Sequence, residues 1–141
     1  MNDIVDAARR WIGTPYVHRA SCRGAGCDCL GLIRGVWQDI SGEHLNDMPA
    51  YSPDWNEAVG REELLTRVRA YFAEEDRVNV HPGRIILFRM KPGAVAKHLG
   101  IATGPDRFVH SYSGRGVCET SLSDPWRRKI VACFEFKRRA V

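Results

Sequence analysis

Apolar residues recur at helical spacing over the first half of the chain and gather into short strand-like runs over the second. Ile4, Val5, Ala8, Trp11 and Ile12 predict a helix over 3–12, stopped by Gly13 and Pro15. Residues 13–27, rich in Gly, Ser and Cys, read as a loop. A second helix is predicted over 28–40, with Asp28 as its N-cap and Cys29, Ile33, Val36, Trp37 and Ile40 on one stripe. A long connection over 41–55 leads to a third helix over 56–74, with Leu64, Leu65, Val68, Tyr71 and Phe72 as its apolar face. After His81-Pro82-Gly83 the texture changes. Segments 84–90, 98–103, 107–112, 117–122 and 129–136 read as strands broken by turn residues. Helices first and strands second imply an α+β fold with an antiparallel sheet, not a doubly wound parallel one.

The chain has 141 residues, which favours a single domain spanning 1–141 and suffices for a sizeable core. An apolar share of 44% and a charged share of 27% exclude disorder. No apolar run approaches the roughly 20 residues of a spanning helix. The opening MNDIVDAARRWIG does not read as a secretory signal, so synthesis and first residence in the cytoplasm are expected. The net charge of +4 gathers late, in WRRK and FKRR. Without interleaved aromatic residues this is a solvated basic edge, and nucleic acid is not an expected partner. Five cysteines is an odd count, and disulfides are not the default reading. Cys118 and Cys133 lie in strand-like runs and read as small core residues, and His18, His44 and His81 as solvated loop residues. The tryptophans read as core or rim, with Trp55 and Trp126 able to line a groove.

Cys29 is the reactive candidate. A thiol in the first turn of a helix meets free N–H groups and the positive end of the dipole, which favour a thiolate. Such a nucleophile needs a base. His98 and His110 flank the turn signal Gly104-Pro105-Asp106. If Thr103 faces Arg107 in a hairpin, then Gly100 faces His110 and His98 faces Tyr112. Alternation then puts both histidines on one face as diagonal neighbours, with room between them at Gly100. A second imidazole can hold the first in one tautomer. Cys22, Cys27 and Cys29, with His18, offer an alternative metal cluster. Their C-x4-C-x-C spacing fits zinc poorly, and the reading needs no metal or cofactor. A disulfide from Cys22 or Cys27 to Cys29 is a further alternative, one that would silence the thiol.

The segments GTPY (13–16), GCDCLG (26–31), PGRIILF (82–88), HLGI (98–101) and FVHS (108–111) occur in this order and resemble the NlpC-type cysteine peptidases. The resemblance runs from about 4 to 136. It implies a papain-like core, the Cys29 helix packed on the sheet, and endopeptidase activity on cell-wall stem peptides between D-glutamate and a diamino acid. It makes Cys29 the nucleophile, His98 the base and His110 its orienting partner. Tyr16 matches a tyrosine that binds substrate or the oxyanion, and Asp28 the acid before the nucleophile. The compact form also resembles tail peptidases of phages and gene transfer agents, which implies a tail or baseplate partner and residence in a particle. Other readings are a catalytically weak or inactive tail-tip docking module and an acyltransferase or amidase on the same fold. Two positions depart from the pattern: Leu30 replaces the usual Ser, and Arg84 the usual Asp, which leaves the turn chemistry there open. The 17–27 loop also differs and implies a differently shaped pocket.

Overall fold

The computed structural model describes residues 2–45, 62–78 and 80–138. The elements run α1 (Asp3–Arg9), β1 (Ser21–Cys22), β2 (Gly26–Cys27), α2 (Cys29–Ser41), α3 (Glu63–Tyr71), β3 (Phe72–Glu75), β4 (Ile85–Phe88), β5 (His98–Gly104), β6 (Arg107–Tyr112), β7 (Gly116–Ser121), α4 (Asp124–Arg127) and β8 (Ile130–Arg138). Strands β3 to β8 form a six-stranded sheet in the order β3-β8-β4-β5-β6-β7, every neighbouring pair antiparallel. The first helices pack on this sheet, the α+β arrangement that the order of helices and strands implies and the papain-like core that the family resemblance implies.

Local chemistry sets the helix ends. The Asn2 side chain accepts from the amides of Ile4 and Val5 to start α1, and its Nδ2 donates to the Pro82 carbonyl at 3.0 Å. α2 starts at Asp28 and stops at Gly42, which takes the left-handed φ of 75° that glycine tolerates. α1 and α2 come close because Gly35 has no side chain: a Cβ there would lie 2.1 Å from the Trp11 ring. Trp11 Nε1 then donates to Asp39 at 2.9 Å.

α2 is buried on more than its predicted stripe. Leu30, Gly31, Leu32, Ile33, Gly35, Val36 and Trp37 are all buried, because α1 and the β1–β2 ribbon cover α2 as well as the sheet. Ile40, expected on the stripe, is exposed in the last turn. The expected 13–27 loop contains the β1–β2 ribbon. The third helix is shorter than its pattern: after Tyr71 the backbone turns extended at Phe72 (φ −129°, ψ 147°) and begins β3. Phe72 stays buried there against Trp37 and Phe136, with ring centroids at 5.8 and 5.5 Å. The rest of the predicted helix over 56–61, most of the predicted connection over 46–55, and Trp55 within it lie outside the described residues.

Both faces of the sheet are covered, which explains why RIILF reads as an unbroken apolar run. Ile85, Leu87, Leu99, Ile101, Val109 and Phe134 pack under the helices. Ile86, Phe88, Ala102, Phe108, Ile130 and Cys133 form a second cluster on the other face, closed by Leu122 and Trp126. Trp126 comes from α4, a short helix with Pro125 in its first turn that the periodicity does not announce. Arg84 forms an ion pair with Glu75 at 2.6 Å, linking the entry of β4 to β3 across β8.

Candidate active site

The start of α2 is held from four directions. Tyr16 bridges in parallel to Cys27, whose amide donates to the Pro15 carbonyl at 3.0 Å. Asp28 is buried: Oδ1 accepts from the Gly31 amide at 2.7 Å as the predicted N-cap, and Oδ2 accepts from the Arg19 amide at 2.7 Å. His18, expected in solvent, is partly buried with Nδ1 3.8 Å from the same carboxylate. Ser21 donates to the Gly31 carbonyl at 2.6 Å, and a Cβ on Gly31 would meet the Ala20 carbonyl at 1.9 Å, so only glycine lets the ribbon sit on this turn. From the sheet, the buried Ser111 hydroxyl donates to the Cys27 carbonyl at 2.7 Å.

These contacts deliver Cys29 to the first residues of β5. Its Sγ lies 3.7 Å from the Lys97 carbonyl, and the Leu99 amide also points to it, so the thiol touches the backbone on both sides of His98. Burial pushes the thiol up to about 12, with the Asp28 charge adding to it. The amides of Leu99, Leu30 and Cys29 itself act the other way. The expectation of a resting thiolate is thus corrected: the helix amides pull in the predicted direction, and desolvation outweighs them.

β5 and β6 pair with Ile101 opposite Val109 and Ala102 opposite Phe108. This is the register that carries Gly100 to His110 and His98 to Tyr112. It departs from expectation only near the turn, where an irregularity brings Gly104, not Thr103, opposite Arg107. His98 Nε2 and His110 Nδ1 are 2.7 Å apart, the rings nearly perpendicular at 76°. His110 Nε2 lies 2.9 Å from Thr120 Oγ1 on β7. Burial holds His98 down at about 3, with His110 contributing, and His110 at about 4, with the Arg115 charge contributing. Both rings are therefore neutral at pH 7. Trp126 stands edge-on to His110 at 5.3 Å and 6.0 Å from His98, with Phe88 and Phe108 completing the wall.

The two halves of the site belong to different layers. Cys29 packs with the helical core, whereas His98 and His110 share the opposite face of the sheet with Phe88 and Phe108. Strict alternation dictates this, since Leu99 and Ile101 point to the helices. The layers meet at the start of β5, where the thiol reaches the strand backbone.

Tyr16 is half-buried, and burial, then the Cys29 and Asp28 charges, raise its hydroxyl above the usual phenol value. Its ring borders a cleft of about 250 Å³ shared with Pro15, Gly114, Arg115 and Gly116. All five expected site residues thus lie around the start of α2 and the β5–β6 pair. Trp126, read from the sequence as able to line a groove, stands at the histidine pair, and Thr120 and Ser111 join the site without a signal of their own in the sequence reading. Ser111 sits inside the FVHS segment and was within reach of the motif, whereas Thr120 needs the β6–β7 register across the turn at Ser113-Gly114-Arg115-Gly116. The other thiols divide by environment. In the ribbon, Ser21 faces Cys27, so Cys22 points to the opposite side: Cys22 is exposed and Cys27 buried. Cys133 is buried as expected, whereas Cys118, opposite His110, is only partly covered. Among the described residues no group of three or more His, Cys, Asp or Glu is arranged to hold a metal ion. No helix among them is long and apolar enough to cross a membrane.

Residues 13–135 match the sequence model of the NlpC/P60 family. The chain is 29% identical over 134 residues to the gamma-DL-glutamyl hydrolase of Bacillus subtilis, covering 94% of this chain and 29% of that one. It is 26% identical over 126 residues to the murein DD-endopeptidase MepS/murein LD-carboxypeptidase of Escherichia coli, covering 89% and 57%. The chain therefore spans a little over half of one relative's length and under a third of the other's. In structure it is similar to the NlpC/p60 domain of the peptidoglycan hydrolase SagA, with a TM-score of 0.64, 22% identity, and coverage of 96% of this chain and 99% of that one.

Proposed function

The chain belongs to the NlpC/P60 family, and from that membership we propose that it is a cysteine hydrolase of bacterial cell wall that cleaves stem peptides after a D-glutamyl residue. One observation carries the reading. The Cys29 thiol, at the start of a capped helix, touches the strand backbone on both sides of His98, and His98 is hydrogen-bonded to His110 at 2.7 Å. Relatives named as a gamma-DL-glutamyl hydrolase and a murein endopeptidase support the substrate class.

The chemistry begins from a neutral pair. Because Nε2 of His98 is taken by His110, Nδ1 is the nitrogen left for the thiol proton. As that proton moves to His98, Cys29 sulfur attacks the scissile carbonyl carbon and the carbonyl oxygen becomes an oxyanion. The first amides of α2 and the Tyr16 hydroxyl receive that charge. His98 then protonates the leaving amine as the C–N bond breaks, which leaves a thioester on Cys29. Water, deprotonated by His98, attacks the thioester, releases the carboxylate and restores the thiol. Trp126 and Phe88 keep bulk water from the imidazoles.

Carriage of this hydrolase by a phage-like tail, for local opening of the wall, is the finer part of the proposal. Its support is the resemblance of the sequence motifs to those of tail peptidases. The test of the reaction is digestion of purified cell wall and of a defined stem peptide by the wild type and by Cys29→Ala, with products identified by mass spectrometry. Cleavage at the D-glutamyl bond by the wild type alone is the expected result. Retained activity in the variant overturns the mechanism, and inert wild type that still binds tail particles favours a docking role.

A further inference from the structure

We propose that Thr120 is a positioning residue for this reaction: its hydroxyl oxygen ends a one-way hydrogen-bond relay, His98 to His110 to Thr120, that sets the tautomer of both imidazoles and steadies His98 while it holds the thiol proton. The inference rests on the reading of Cys29 and His98 as the reacting pair.

The geometry leaves two directions for the relay. His98 Nε2 and His110 Nδ1 at 2.7 Å must share one proton, and His110 Nε2 and Thr120 Oγ1 at 2.9 Å another. If Thr120 donates, His110 carries its proton on Nδ1 and donates to His98. His98 then holds its own proton on Nδ1, where the thiol proton would have to go. If Thr120 accepts, His110 is protonated on Nε2, His98 donates from Nε2, and Nδ1 is left basic. Once His98 has taken the thiol proton, both of its nitrogens are donors. His110 must then accept on Nδ1, and its Nε2 proton needs an acceptor.

Thr120 is that acceptor. His110 is buried, so loss of the hydroxyl would strand its N–H away from water. The proton of Thr120 itself has a place to go, since Cys118 Sγ lies 3.7 Å from Oγ1. The other groups around His110 do not substitute. Phe108, Tyr112 and Trp126 meet it as rings, and the Arg115 charge opposes a second cation on it. Around His98 stand Phe88, Tyr112 and Trp126 as rings. Arg115 therefore keeps the positive charge on His98, and the relay orients without passing the proton on.

The test combines ring-nitrogen NMR of the full chain with kinetics of Thr120→Val and Thr120→Ser on a stem peptide. The wild-type spectrum is expected to show His110 protonated on Nε2 and bare on Nδ1. Thr120→Val is expected to lower kcat about tenfold with KM unchanged. Its acid limb should move to lower pH, because the imidazolium has lost an acceptor. Thr120→Ser should restore both. A proton on His110 Nδ1 in the wild type, wild-type kcat in Thr120→Val, or equal impairment in Thr120→Ser would each overturn the proposal. Should Thr120→Val not fold, the wild-type spectrum decides alone. Should the wild type cleave no stem peptide, the hydrolase reading fails, and the same spectrum still judges the relay.

Discussion

The Ser111 hydroxyl donates to the Cys27 carbonyl at 2.7 Å, joining residues 84 apart in sequence. Ser111 follows His110 on β6, and Cys27 precedes Asp28 and Cys29. One buried hydrogen bond thus ties the strand that bears His110 to the segment that leads into Cys29. Ser111→Ala leaves the Cys27 carbonyl with the Val17 amide at 3.2 Å as its remaining partner and is expected to cost about 0.5–1.5 kcal/mol of stability. It should also lower kcat by about tenfold, or ~1.4 kcal/mol of barrier, through a misplaced Cys29. Denaturant unfolding and stem-peptide kinetics check the two parts, and unchanged values in both would remove the role.

The thiols should react in the order of their surroundings. Cys22 is exposed and is expected to take iodoacetamide first. Cys29 is pushed up to about 12 by burial, so at neutral pH only a minute fraction is thiolate. Its alkylation rate should climb about tenfold per pH unit across the alkaline range, beyond the point near 8.5 where an ordinary thiol levels off. Peptide mapping after timed labelling reads this directly. A plateau for Cys29 near neutral pH would point to a resting ion pair instead.

Acid should destabilise the fold through the histidine pair. An unfolded histidine titrates near 6.5, whereas burial holds His98 at about 3 and His110 at about 4 in the folded chain. Below pH 6.5 the unfolded chain therefore binds protons that the folded chain refuses. The stabilisation is complete above that pH and is lost as pH falls toward 4. Glu119, held at about 2 chiefly by Arg9 and also by Thr103, acts in the same direction but in a lower window, beneath the usual carboxylate value. Tm measured between pH 7 and 4 should fall, and His98→Asn should flatten the slope. A flat wild-type profile would contradict the assignment.

Gly31 is expected to be intolerant of the smallest change. A Cβ 1.9 Å from the Ala20 carbonyl has backbone, not a flexible side chain, in its way. Gly31→Ala should cost about 1–3 kcal/mol and loosen the ribbon beside Tyr16. Thermal unfolding measures the first effect. A rise in KM larger than the fall in kcat would show the second.

The placement of Cys29 at a helix start and of His98 and His110 on one sheet face, and the fold class, were legible in the sequence because they depend on local rules. A carboxylate before an apolar stripe makes a helix start at Asp28, and alternation around Gly104-Pro105-Asp106 makes a hairpin. Its register follows from those residues alone even though the turn itself slips by one. The end of the third helix was not legible, because Phe72 leaves helical backbone to pack with Trp37 and Phe136 from distant segments. Nor was α4, whose Trp126 matters only once β4 and β6 bring Phe88 and Phe108 beneath it.

What the sequence determined by itself is which side chains could react: a thiol at a helix start and two imidazoles on one face of a hairpin. What only the tertiary structure decided is the state in which they wait. The pKa of a thiol depends on how much water the surrounding layers exclude, and packing at the start of β5 excludes enough to overrule the helix amides. The direction of the His98–His110 bond likewise depends on a hydroxyl from the next strand. Spacing along the chain encodes neither, because both arise from groups that meet only after the sheet has formed.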